Sequence, residues 1–387
     1  MRERGDWDVL REEIGTVFSP GAPIDEGDLF AGRVYQIREL IDAVGQRGQH
    51  AFVFGERGVG KTSLANTFTK FMHRPVSKLV ATRVNCDGID TFPHLWKKAL
   101  ADWNIGDAIP AEASPDDIRR ALSSVATNNI PVVVFDEFDR LVEGEVTTLM
   151  ADTIKALSDH SVLATIIIVG VADSVADLIK EHASIGRNLV EVPMPRMSED
   201  ELAEILEKRL PRLDMTMADS TKRQIINYSQ GLPHYTHLLG LHAARDAVEN
   251  RAKHIGDKNL TASISRCLER AQQSTRDAYH KATASPRSDN LFRQVLCACA
   301  LARTDELGYF TAAGVVQPMS NIMGKRYEIP SFAAHLKGFC DPSRGPILEQ
   351  RGTKRKFRYR FRDPLMQPYI LMQGLDAGLL QMPSRSD

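Results

Sequence analysis

The chain has 387 residues, 43% of them hydrophobic, which is enough material for two or three domains with cores of their own. The formal charge of −1 is nearly balanced, so global charge names no partner. No apolar run reaches membrane-spanning length and the Met-Arg-Glu-Arg-Gly-Asp start is too polar for a signal peptide; the five cysteines (Cys86, Cys267, Cys297, Cys299, Cys340) lack metal or disulfide spacing, which suits a reduced, cytoplasmic protein.

Residues 1–28 read as a short polar lead-in arm. From about 29 to 195, helices alternate with apolar strands at Ala51–Phe54, Lys78–Asn85, Val132–Phe135, Ala164–Val169 and Val190–Val192. That alternation predicts an α/β core with a parallel sheet flanked by helices. After the first strand, Gly55-Glu56-Arg57-Gly58-Val59-Gly60-Lys61-Thr62 spells G-x-x-x-x-G-K-T, and Ser63–Phe68 begins a helix. Strand, glycine-rich loop and helix together make a P-loop. Its glycines let backbone N–H groups from Gly55 to Ser63 close around phosphate oxygens at the positive end of the helix. Lys61 would reach the β- and γ-phosphates, and the Thr62 hydroxyl would hold Mg²⁺.

Ser114-Pro115-Asp116-Asp117 marks a helix start, with a cap before a proline at the first position. The run Ile130–Phe135 then ends in Asp136 and Glu137. A strand buried on both faces delivers such carboxylates to the sheet edge where ligands sit in open α/β folds. Asp136 would hold Mg²⁺, and Glu137 would take the proton of the attacking water. Ser198–Glu201 is a capping box that opens a long helical stretch, residues 196–282, read as a lid. Residues 288–375 form a further domain, in which Cys297 and Cys299 fall in a buried helix. There Phe357, Tyr359 and Phe361 alternate with Arg358, Arg360 and Arg362, so that a strand would carry rings on one face and guanidinium groups on the other. Arg351, Lys354, Arg355 and Lys356 extend this positive edge, which suits nucleic-acid phosphates or an acidic protein partner.

With these motifs in place, the chain resembles the AAA+ ATPases of the origin-recognition type and the related STAND signalling ATPases, over residues 28–275 and more loosely beyond. Leu29-Phe30-Ala31-Gly32-Arg33 looks like the family segment that packs near adenine and ribose, with Val34 in place of its usual acid. The resemblance therefore implies ATP and Mg²⁺ as ligands and gives Phe30 and Arg33 a place beside the nucleotide. Gly231-Leu232-Pro233 looks like the lid motif whose proline packs on the base, and His234 stands where relatives carry a sensor arginine. Asp173 or Ser174, past the fourth strand, takes the place of the γ-phosphate sensor. Arg187 takes that of an arginine finger reaching into a neighbouring subunit, which implies a homo-oligomer. Helices closed by a hairpin resemble the winged helix that such proteins carry after the lid.

Two functions fit this reading. One is an ATPase whose nucleotide state drives oligomerisation and DNA association through the basic strand (Arg355, Lys356, Arg358, Arg360, Arg362). The other is a STAND-like switch that recruits a separate effector protein in trans. The resemblance associates such switches with bacterial mobile elements and phage defence. A P-loop kinase is disfavoured by the Asp136-Glu137 pair and the long lid.

Overall fold

The computed structural model describes residues 4–22, 29–72, 78–141, 144–171, 185–287, 290–305, 307–353 and 356–380. They fall into two compact units, one spanning Pro23–Glu56 and Gly60–Pro195, the other gathering Met1–Ala22, Arg57–Val59 and Arg196–Asp387.

The chain opens on helix α1 (Arg4–Val17). The expected lead-in arm is thus helical, and it is packed: Leu10, Ile14 and Phe18 recur at four-residue spacing and are all buried. Their short apolar stripe is hidden among charged residues, which is why the segment reads as polar.

The first unit holds a five-stranded parallel sheet of β1 (His50–Gly55), β2 (Leu79–Asn85), β3 (Ile130–Asp136), β4 (Thr165–Gly170) and β5 (Leu189–Met194), in the order β2-β3-β4-β1-β5. Strands β3 and β4 are unbroken apolar runs because both of their faces are covered. The helices are α2 (Val34–Gly45), α3 (Lys61–Met72), α4 (Phe92–Ala101), α5 (Pro115–Val125) and α6 (Gly144–Asp159). Helix α5 starts where its cap dictates. The Ser114 Oγ accepts from the Asp117 N–H at 3.3 Å, and the Asp117 carboxylate accepts from the Ser114 N–H at 2.9 Å. The core centres on Trp96, with Phe92 and Phe135 edge-on to its rings at 6.3 and 5.1 Å.

The second unit continues with α7 (Glu199–Arg209), β6 (Thr216–Met217), α8 (Asp219–Ser229), α9 (Pro233–Glu249), β7 (His254–Ile255), α10 (Asp257–Glu269) and α11 (Gln273–Thr283). Helix α7 opens on the expected capping box between Ser198 and Glu201. Then come α12 (Phe292–Ala300), β8 (Phe310–Thr311), α13 (Ala312–Met323), α14 (Ile329–Phe339), β9 (Leu348–Arg351), β10 (Arg358–Phe361) and α15 (Met366–Asp376). Strands β8, β10 and β9 form one antiparallel sheet, so the order is helix, strand, two helices, hairpin, as in a winged helix.

The lid and this last segment, read from the sequence as separate domains, pack into one unit. Buried Gln367 is one reason. Its Nε2 donates to the Ala300 carbonyl at 2.7 Å and to the Gln230 Oε1 at 3.0 Å, while its Oε1 accepts from Arg196 at 2.6 Å. Helix α1 is fastened to α9 in the same unit. A Cβ on Gly240 would lie 2.6 Å from the Phe18 ring, so only glycine admits that ring. Fully buried Arg209 donates to the Val17 carbonyl at 3.1 Å, and the Ser19 N–H donates to His237 Nδ1 at 3.3 Å. Burial, with Arg209 close by, pulls His237 down to about 3, which keeps that nitrogen an acceptor.

Candidate functional site

Strand β1 ends at Gly55 and α3 begins at Lys61. Between them Gly58 and Gly60 take φ of 87° and 98°, values that other residues rarely adopt. Gly55 is required on different grounds. A Cβ there would sit 2.3 Å from the Met194 carbonyl oxygen of β5. Glu56 and Val59 are buried, Arg57 is exposed and Ser63 is half-buried on α3. The Lys61 Nζ donates to the Gly55 and Glu56 carbonyls at 3.0 and 2.9 Å, so its ammonium lies across the loop.

Asp136 is buried at the tip of β3. It accepts the Glu137 N–H at 2.9 Å and faces the Arg83 Nη1 of β2 at 3.3 Å, with the Thr62 side chain near enough to favour its ionised form. Burial pushes its carboxyl above the ordinary range, while these three groups pull the other way. The nearness of Thr62 and Asp136 brings together the two motifs that the sequence could place only at a distance along the chain. Glu137 follows in the left-handed region, φ 56° and ψ 37°, an uncommon conformation for a residue with a Cβ. Its half-exposed carboxylate pairs with Arg140 at 3.0 Å.

Leu29, Phe30 and Ala31 are buried. Arg33, also buried and left-handed, donates from Nη2 to the Pro195 carbonyl at 2.8 Å, and the Gln36 Nε2 donates to Pro193 at 3.2 Å. Arg33 therefore fastens the start of α2 to the chain leaving β5. Asp173 and Ser174 lie outside the described residues. Arg187 is exposed on the turn before β5, and no described side chain pairs with its guanidinium.

In the second unit, Pro233 is the first residue of α9. The Nδ1 of His234 is 2.7 Å from the Pro20 carbonyl, an acceptor only, so this nitrogen carries the proton. Burial lowers the pKa of His234 and keeps the ring neutral. A neutral, carbonyl-bonded ring differs in kind from the charged arginine that the resemblance would supply.

The basic strand departs from expectation in one respect. Tyr359 and Phe361 are buried and Phe357 half-buried, as alternation requires. The arginine face, however, is not a free row of charge. Arg360 pairs with Glu349 at 2.6 Å, and Arg358 with Asp305 at 3.1 Å. The side chain of Arg360 is only 15% exposed, because Glu349 stands directly opposite it in the β9–β10 register. The Arg351, Arg358 and Arg360 guanidinium groups lie 5.8, 5.3 and 4.7 Å from the Tyr309 ring centre, whose hydroxyl donates to Glu349 at 2.8 Å. Tyr309, Glu349 and Asp305 were missed in the sequence. Only Glu349 carried a local signal, since period-two alternation puts it on the face of Arg351. Lys356 and Arg362 are exposed at either end of β10, and Arg355 lies outside the described residues.

The profile of the novel STAND NTPase 1 family matches residues 23–305, well over half of the chain. The chain belongs to that family. As a novel STAND NTPase it is a P-loop NTPase. In fold this STAND NTPase is similar to a Walker-type ATPase of Pyrococcus abyssi, with a TM-score of 0.57 and 15% identity, over 92% of this chain and 99% of that one. It is also similar to the ORC1 protein of Aeropyrum pernix, solved in complex with DNA, with a TM-score of 0.51 and 15% identity, over 94% and 97% of the two chains. Identity this low makes the likeness one of fold. No curated protein matches the STAND NTPase in sequence. Among its described residues no helix is long and apolar enough to cross a membrane.

Proposed function

We propose that this STAND NTPase binds and hydrolyses ATP with Mg²⁺, and that the nucleotide state switches its assembly and its recruitment of a separate protein partner. The observation that carries the hydrolytic reading is the buried Asp136 carboxylate at the tip of β3, with the Thr62 side chain near enough to favour its ionised form, beside a P-loop spanned by Lys61. A hydroxyl and a carboxylate are hard oxygen ligands suited to Mg²⁺. When bound, Mg²⁺ supplies neutralisation of phosphate charge.

The protein groups then divide the work. Backbone N–H groups of Gly55–Ser63 and the Lys61 ammonium hold the phosphates. Glu137 accepts the proton of the attacking water. Phe30 and Arg33 are the candidates for contacts to the adenine and ribose, and Asp173 is the candidate γ-phosphate sensor. Arg187, exposed on the turn before β5, acts in a neighbouring subunit. The test is a pair of variants. Lys61→Ala is expected to lose nucleotide binding, whereas Glu137→Gln should bind ATP and not turn it over. Normal hydrolysis by Glu137→Gln refutes the assigned base.

The switch takes precedence over DNA association because Arg358 and Arg360 are already committed to Asp305 and Glu349. DNA remains the second reading, favoured by exposed Lys356 and Arg362 beside the half-exposed Arg358. Stimulation of the ATPase by duplex DNA would reverse the order.

A further inference from the structure

Glu137 is not alone at the tip of β3. The single turn Phe138–Arg140 follows it, closed by the Arg140 N–H donating to the Glu137 carbonyl at 2.9 Å. That turn brings the Arg140 side chain back over Glu137. The Nη1 of Arg140 meets the Glu137 Oε2 at 3.0 Å, and its Nη2 reaches the Asp87 Oδ1 at 3.4 Å. One guanidinium thus bridges two carboxylates carried by neighbouring strand tips, since Asn85 of β2 lies opposite Asp136 of β3 in register.

Asp87 is itself held in place. Its N–H donates to the Asp90 Oδ2 at 2.8 Å, and the Asp90 carboxylate, with no exposed side-chain surface, pairs with Lys98 at 2.6 Å and His94 at 2.7 Å on α4. The Gly88 N–H donates to the same Asp87 oxygen that Arg140 approaches. The two contacts of Arg140 are unequal. The shorter one goes to the residue read as the base.

We propose that Arg140 is a positioning residue that latches Glu137 away from the attacking water, and that Asp87 competes for the same guanidinium and so releases the latch. The proposal rests on the reading of Glu137 as the proton acceptor. A side chain folded back onto its own turn, with one carboxylate oxygen accepting from Arg140, cannot also swing to a water held over the phosphates. Drawing Arg140 toward Asp87 frees it. The Arg140, Glu137 and Asp87 side chains are all about half exposed, at 52%, 48% and 55%. Pairs so exposed shift an equilibrium by no more than about fivefold, which makes the latch reversible rather than a block.

The test is steady-state ATP hydrolysis by the full chain over a range of ATP concentrations, after melting curves show each variant folded. Arg140→Gln should raise kcat by about two- to fivefold with KM unchanged, because turnover and not binding is released. Asp87→Asn should lower kcat by a similar factor, because the guanidinium then rests wholly on Glu137. The double variant should match Arg140→Gln, since without the latch its competitor has nothing to release. Arg140→Lys, which keeps the charge but loses the fork, should fall between wild type and Arg140→Gln. An unchanged or lowered kcat in Arg140→Gln overturns the latch, as does an additive double variant. Failure of the base reading gives another pattern: Glu137→Gln then hydrolyses ATP normally, whatever stands at 140.

Discussion

At the scale of single residues, the P-loop is specified by backbone conformation as much as by charge. Gly60 sits at φ 98° immediately before Lys61. Gly60→Ala is expected to cost roughly 1–3 kcal/mol locally and to weaken nucleotide binding well beyond its effect on melting temperature. Equilibrium binding of a fluorescent ATP analogue, measured beside a melting curve, separates the two effects. Asp90 makes a prediction in pH. Burial opposes its ionisation, but the Lys98 and Asp87 hydrogen bonds and the nearby positive charge outweigh it, so its carboxyl lies below the usual range in the folded chain. A depressed carboxyl stabilises the fold above the unfolded value of about 3.9, and that contribution is lost as pH falls through the folded value. Asp90→Asn should therefore melt lower than wild type at pH 7, with the gap closing below about pH 4. A gap that does not change with pH would show that Asp90 is not ionised there. The chemistry-bearing residues Lys61, Thr62, Asp136 and Glu137 were legible because their spacing follows from what phosphate and a hard cation require. Arg140 was not, since nothing in the linear order says that a single turn will fold it back onto its neighbour.

At the scale of elements, the strands of the α/β core follow directly from apolar runs, and the starts of α5 and α7 from Ser114 and Ser198. Packing that depends on a single side chain was invisible. The basic strand shows both sides of this. Alternation in Phe357–Arg362 correctly separates ring from guanidinium, yet the acids that face the arginines come from β9 and from the loop before β8, distant in sequence. Phe361, buried on the sheet, should cost about 3–5 kcal/mol when changed to alanine, read as a drop in unfolding free energy. Replacing Arg358, Arg360 and Arg362 together by alanine distinguishes the two functional readings. If the face binds duplex DNA, affinity should fall alike for all sequences and the log–log salt slope should flatten by about 0.9 for each lost phosphate contact. The pairing of Arg358 and Arg360 leads us to expect a flattening of less than three such steps. No change in affinity or slope would leave the face to a protein partner.

At the scale of the whole molecule, hydrolysis is expected to depend on assembly. Arg187→Ala subunits should bind ATP normally and hydrolyse it poorly. Mixing them with Glu137→Gln subunits should restore part of the activity, because some interfaces then pair an intact arginine with an intact base. A mixture no more active than its parts would return Arg187 to the ordinary surface. The matched family region begins at residue 23, so it leaves out α1. Yet α1 inserts Phe18 over Gly240 and is tied to Arg209 and His237. A chain lacking only its first 22 residues would carry an open groove along α9, with buried donors left unanswered. The first 22 residues then become a ligand in their own right. A synthetic peptide of that length should bind the shortened protein, raise its melting temperature and improve its solubility, whereas the same peptide with Phe18 replaced by alanine should do so much more weakly.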